Sequence, residues 1–181
     1  MSAQTVAEPD LRFPVGRFHR PEGITPAQRD KWLSEIEALP AQLSAAVAGL
    51  DERQLDTPYR PEGWTVRQVV HHYADSHLNS YVRFRLALTE DKPVIKPYDE
   101  QRWADLPDAK TAPIGLSLAM LTGLHQRWVL LLHTLDDQGF ARKFVHPELG
   151  EMRLDQTLAL YAWHSRHHVA HITSLRARQG W

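Results

Sequence analysis

Apolar residues recur at three- and four-residue steps in four long stretches of the chain, and each stretch predicts an amphipathic α-helix. In the first, Trp32, Ile36, Leu39, Leu43, Val47 and Leu50 follow Thr25-Pro26-Ala27-Gln28. That tetrad is a helix start: an N-cap threonine, a proline at the first helical position and a glutamine placed to close a capping box. Pro40 is expected to bend this helix. Thr65-Val66-Arg67-Gln68 repeats the start signal, and Val66, Val69, Val70, Tyr73, Tyr81, Phe84 and Leu88, with His77 among them, carry the second helix to about Thr89. The third is expected from Ile114 to Asp137 on Leu121, Leu124, Trp128, Leu131 and Leu135, with Gly139 ending it. The last runs on Leu154, Leu158, Ala162, Val169 and Ile172. Asp155 is its expected cap, Arg176 and Arg178 suit its negative end, and Gly180 stands where it stops.

The segments between these helices lack their periodicity. Pro9, Pro14, Pro21 and Gly23 predict an extended arm over residues 1–24, in which Phe13, Val15 and Phe18 are candidates to pack on the body. Asp51 to Gly63 is a polar connector. Glu90 to Pro113 is long for a connection and carries four prolines with Tyr98 and Trp103, which suggests a lid, a pocket wall, a dimer contact or a crossover strap between parallel helices. Phe144 to Leu154 predicts a short hairpin. Four long helices with one long crossover predict one domain of 181 residues, an all-α four-helix bundle with a small hairpin before its last helix. In such bundles metal sites are built from side chains on facing helices.

The chain has no cysteine, which leaves metal ligation and catalysis to histidine and carboxylate chemistry. A net charge of -1 without a basic run argues against nucleic-acid or membrane-surface partners. There is no secretory pattern at the N-terminus and no apolar run long enough to span a bilayer, so a soluble cytoplasmic protein is expected. Its expected partners are a small-molecule substrate and another copy of the chain.

Trp163-His164-Ser165-Arg166-His167-His168-Val169-Ala170-His171 holds four of the eleven histidines. Residues four apart share a helix face, so His164 with His168, or His167 with His171, can chelate one cation. Ser165 stands where a zinc protease of the His-Glu-x-x-His type has its general base, which excludes that chemistry. Two histidines rarely complete a site, because a catalytic zinc takes three protein ligands and keeps one position open. The second helix offers His71, His72 and His77. His77 falls in the apolar face and reads as a core histidine. Periodicity leaves His71 and His72 open, although His72 continues into a polar strip of Asp75, Ser76, Asn79 and Arg83. His164 and His168 lie beside Tyr161 and Leu175 at the edge of the inward stripe and are the preferred pair. His167 points further toward solvent, and His171 is a neighbour or an alternative ligand.

The segments Gly63 to His77 and Trp163 to His171 resemble the YfiT-like branch of the DinB superfamily. Arg12-Phe13-Pro14-Val15-Gly16, Leu55 to Arg60 and Lys96-Pro97-Tyr98-Asp99 resemble it too, so the likeness covers most of the chain. The resemblance implies an up-up-down-down bundle, a homodimer and a divalent ion held by three histidines. Its first ligand lies eight residues after a helix-opening tryptophan, which maps from Trp64 onto His72, and its later pair maps onto His164 and His168. Where many members of the wider superfamily carry Arg-Gly-Gln, this chain has Val169-Ala170-His171.

The resemblance further implies metal-dependent hydrolysis or transfer of a low-molecular-weight thiol of the bacillithiol type. A three-histidine Zn²⁺ or Ni²⁺ keeps its full charge, and such a zinc lowers the pKa of water to about 7. Asp75, one turn from His72, is a candidate to orient a ligand or accept a proton. Arg83, Tyr59 and Arg60 are candidates to bind an anionic cosubstrate, and Trp64 reads as a core anchor. The competing expectation is a non-catalytic metal-binding stress or interaction protein.

Overall fold

In the computed structural model, which describes residues 10–181, the chain forms α1 (Pro26–Val47), α2 (Glu52–Leu55), α3 (Val66–Thr89), α4 (Glu100–Ala104), α5 (Pro107–Thr111), α6 (Ile114–His133), α7 (Asp137–Ala141), β1 (Lys143–His146), β2 (Gly150–Arg153) and α8 (Leu154–Gln179). The first nine residues of the expected arm lie outside the described residues. Both threonine start signals close as capping boxes. At α3, Thr65 Oγ1 accepts from Gln68 N at 3.1 Å and Gln68 Oε1 accepts from Thr65 N at 2.9 Å. A cap of this kind is worth about 1 kcal/mol. The start of α8 differs from expectation: Arg153 is the cap and Asp155 lies inside the first turn, paired with the Arg153 guanidinium. Its end is as read, with Gly180 in the left-handed conformation at φ 71°.

The four long helices make a bundle in which α1 packs on α8 and α6, and α3 packs on α6 and α8. Its apolar interior is divided. One cluster includes Ile36, Phe84, Trp128, Leu154 and Leu158. The other includes Leu39, Leu43, Val66, Tyr73, Leu121 and Ile172. Burying each such side chain contributes about 1.5–3 kcal/mol. Where the clusters meet, the inward positions of three helices turn to histidine: His77 on α3, His125 on α6, and His164 and His168 on α8, all buried or nearly so. The fourth helix, α1, meets this layer with Pro40 in its interior. Proline has no N–H, so the Ile36 carbonyl four residues earlier lacks its helical donor.

The long connection is more ordered than its sequence suggests, since it contains α4 and α5. Gln68 Nε2 donates to the Ala104 carbonyl at 2.7 Å and Arg67 donates to Ala112 O at 3.0 Å, which pins the strap to α3. The expected third helix stops at His133, and Gly139 lies inside the separate short α7. The hairpin pairs Phe144 with Met152, and both are buried. The arm lies along α8: Trp163 Nε1 donates to Gly16 O at 3.1 Å, while Phe13 and Phe18 pack on His167 and Trp163. Val15, the third candidate, is 40% exposed. Among the described residues no helix is long and apolar enough to cross a membrane.

Candidate metal centre

Buried hydrogen bonds set α3 against α8. Tyr73 Oη donates to the Ser165 carbonyl at 2.5 Å, and Tyr161 Oη donates to the Ser76 carbonyl at 3.1 Å. Neither carbonyl group can shift without leaving a buried polar atom unpaired, at a cost of about 1–3 kcal/mol. The register so fixed brings His72 of α3 to His164 and His168 of α8.

One nitrogen from each of these three rings lies within 4.8 Å of the others. His72 Nε2 and His164 Nε2 are 3.1 Å apart. Two imidazole nitrogens on one tetrahedral zinc, with bonds of about 2.0–2.1 Å, stand about 3.3 Å apart. The donor set therefore fits a divalent cation in both spacing and chemistry. Burial, with His167 adding to it, pulls His72 down to about 4. Burial and then the neighbouring histidines hold His164 and His168 well below the ordinary histidine value. All three are neutral at pH 7, the protonation state that binds metal.

Behind them the layer continues. His164 Nδ1 is 3.2 Å from His77 Nε2, His77 Nδ1 is 3.0 Å from His125 Nε2, and His125 Nδ1 is 2.7 Å from the carbonyl oxygen that Pro40 leaves free on Ile36. On the other side, His168 Nδ1 is 3.2 Å from His171 Nδ1, and His171 Nε2 is 3.3 Å from the Arg12 carbonyl. His167, His168 and His171 also form a grouping close enough for a metal. With the Arg12 carbonyl taking its Nε2 hydrogen, His171 keeps one lone pair, on Nδ1, and that lone pair is directed at His168 Nδ1.

The three histidines open into a cleft of about 440 Å³. Tyr59, Arg60, Trp64 and Trp163 wall it on the arm side, and Arg83, Glu100, Gln101 and His146 on the side of the strap and hairpin. Trp64 Nε1 donates to Gln101 Oε1 at 2.9 Å, which ties the strap to the cleft mouth. A larger cavity of about 700 Å³ lies between α1 and α6. It is mainly apolar, and among the described residues its lining forms no close grouping of metal ligands, so the smaller cleft is the better candidate for chemistry.

The DinB superfamily model matches residues 35–172. The chain belongs to the DinB superfamily. Proteins of Bacillus cereus and Bacillus mycoides bearing the name "Putative metal-dependent hydrolase" are 57% identical over 95% of this chain and 99% of their own length. Among solved structures, YfiT from Bacillus subtilis, "a probable metal-dependent hydrolase with an unusual four-helix bundle topology", is 54% identical with a TM-score of 0.92, over 94% of this chain and 98% of that one. A second four-helix bundle protein, TT2238, matches at 25% identity and a TM-score of 0.54, over 84% of this chain and 99% of its own.

Within this DinB-superfamily bundle, His71 and His72 have different neighbours. His71 faces α6 and the strap, with Ser117 Oγ at 2.7 Å and Ala112 O at 3.1 Å, whereas His72 faces α8. Tyr59, Arg60 and Arg83 all line the cleft. Asp75 does not: the group that reaches the cleft one turn from His72 is Ser76, while Asp75 is half-buried outside the lining and close enough to Asp108 of the strap to feel its charge. Burial and Asp108 raise its carboxyl to about 6. Asn79 also lies outside the lining, its amide donating to the Asp75 carbonyl at 2.9 Å. His167 is buried rather than solvent-facing, because Trp163 stacks on it at 4.4 Å and Phe13 covers it at 5.9 Å. Trp64 is half-buried and forms cleft wall above His72, at 4.7 Å between rings. Glu100, Gln101 and His146 were absent from the sequence-derived candidates. They sit on the short α4 of the strap and on β1 of the hairpin, outside the long helices whose periodicity supplied the candidates.

Proposed function

We propose that this protein is a metal-dependent hydrolase of small polar substrates. The observation that carries the reading is the convergence of three neutral imidazoles at the wall of a cleft with room for a small molecule. Held by His72, His164 and His168, a divalent ion such as Zn²⁺ or Ni²⁺ supplies Lewis acidity that makes water or a thiol acidic near neutral pH. The names of the relatives from Bacillus support hydrolysis.

The chain's own residues bind and orient the substrate. Arg60 and Arg83 stand in the cleft lining to receive anionic groups, while Tyr59, Trp64 and Trp163 give flat surfaces that exclude water. His146 lies in the lining near Arg83; burial lowers its pKa, and its Nδ1 accepts from Glu148 N at 3.2 Å, so the neutral ring carries its hydrogen on Nε2 and can donate it to a substrate oxygen. Asp75 has no part in this arrangement.

The two arginines favour a second reading, in which an anionic low-molecular-weight thiol is the cosubstrate and brings the sulfur that a chain without cysteine lacks. Zinc- and nickel-loaded protein assayed against an ester and amide panel, and against a thiol panel with a generic electrophile, separates the two. Turnover of esters or amides that disappears on chelation supports hydrolysis. Turnover of the thiol panel alone assigns transfer. Metal-replete protein that turns over neither panel returns the protein to a non-catalytic metal-binding role.

A further inference from the structure

The two ligands on α8 each continue through ring nitrogens to a main-chain carbonyl, and a carbonyl oxygen can only accept a hydrogen bond. That single constraint fixes the direction of every link. Ile36 O, 2.7 Å from His125 Nδ1, requires the hydrogen of His125 on Nδ1. The bare Nε2 of that neutral ring accepts from His77 Nδ1 at 3.0 Å. His77 Nε2 is then bare and accepts from His164 Nδ1 at 3.2 Å. His164 is left with its lone pair on Nε2, the atom 3.1 Å from His72 Nε2.

The second route is shorter and obeys the same logic. Arg12 O, 3.3 Å from His171 Nε2, places the hydrogen of His171 there. Its bare Nδ1 accepts from His168 Nδ1 at 3.2 Å, so His168 also keeps its lone pair on Nε2. Tyr59, stacked on His171 with ring centroids 3.9 Å apart, holds that ring in plane. Free histidine favours the opposite tautomer, with hydrogen on Nε2, which would turn an N–H toward the site.

We propose that His125 with His77, and separately His171, are positioning residues that fix His164 and His168 in the Nδ1–H tautomer, so that both present Nε2 lone pairs before a metal arrives. This assigns a role to Pro40, whose missing N–H leaves the Ile36 carbonyl open to His125, and to the N-terminal arm, whose Arg12 carbonyl anchors the other route. The proposal rests on the three-histidine site and is independent of which substrate is turned over, because it concerns the metal-free protein.

Long-range ¹H–¹⁵N spectra of the metal-free full chain, labelled in its histidine rings at pH 7.5, test it directly. The expected pattern is Nδ1–H at His77, His125, His164 and His168, and Nε2–H at His171. Hydrogen on Nε2 of His164 or His168 overturns the proposal. In a chelator competition with zinc, His125→Phe and His171→Phe are each expected to raise Kd about 10–100-fold, the range for partners of metal-bound histidines. His171→Asn, whose Oδ1 replaces Nδ1 as acceptor, should recover part of the loss. Unchanged zinc affinity in both phenylalanine variants also overturns the proposal. If either variant fails to fold, the spectra of the unaltered chain decide the question.

Discussion

His72, His164 and His168 share one layer of the bundle with His77 and His125, and all five rings are neutral because burial pulls their proton affinity down. What differs is where their nitrogens end. The first set meets at the cleft, whereas the second is hydrogen-bonded on both sides and terminates on a backbone carbonyl. Residue type and proton affinity are therefore poor guides to which histidine binds metal. The fate of each lone pair is the better guide.

Substitution on the cleft side is expected to break the comparison most severely. His72→Ala, His164→Ala and His168→Ala should each weaken zinc binding by more than the roughly 10–100-fold expected for outer partners, and should abolish any metal-dependent turnover. Competition titration and metal analysis of the purified variants check this. Retention of full occupancy by all three would mean that the ligands have been misassigned.

Acid acts on both sets together. Their native pKa values lie below the unfolded value of about 6.5, so the unfolded chain binds more protons as pH falls, and stability present above about 6.5 is lost toward pH 4. Each unit of depression is worth about 1.4 kcal/mol, so several rings acting together should cost several kcal/mol. Urea denaturation of the metal-free protein between pH 8 and 4 measures it. Zinc-loaded protein should resist to lower pH, since a ligand that binds only the native state stabilises it. A flat profile would mean that the rings are already charged or solvated.

A smaller effect separates Asp75 from the cleft. Its native pKa of about 6 is raised above the ordinary aspartate value, so its ionisation costs stability as pH rises from about 4 to 6. The side chain is partly solvated, which leaves about 1 kcal/mol after screening. Asp75→Asn should raise Tm by a few degrees at pH 7.5, leave it unchanged at pH 4, and retain turnover. Loss of turnover with the metal still bound would place Asp75 in the chemistry after all.

Pro40→Ala should have the least effect on the site. Restoring an N–H at residue 40 gives the Ile36 carbonyl a competing donor, so zinc affinity is expected to fall by no more than about threefold, while the helix gains from losing an interior proline. Thermal melts and the same competition titration read the two changes separately.

The helices were legible in the sequence because local rules govern them. Thr25 with Gln28 and Thr65 with Gln68 close the boxes their spacing implies, and Val66 to Thr89 folds over the expected range. Periodicity also placed His164 and His168 together on one face of α8, as the candidate pair of ligands. Long-range contacts were not legible. His167 looked solvent-facing on its own helix, but it is covered by Phe13 of an arm more than a hundred residues earlier. Asp75 and Ser76 sit in the same polar strip, and the packing of α3 on α8 decides which of them reaches the cleft: Ser76, four residues from His72, meets Tyr161 of α8. The Ile36 carbonyl carries no signal in its own residue. Its availability comes from Pro40 and its use from His125, 89 residues away on another helix.

X-ray absorption at the zinc edge of the loaded full-length protein tests the central claim most directly. Three histidines at an open cleft predict one zinc per chain, with three imidazole nitrogens at about 2.0–2.1 Å and one further light donor from water or substrate. A spectrum without three imidazole nitrogens, or one with a fourth protein donor closing the shell, would contradict it.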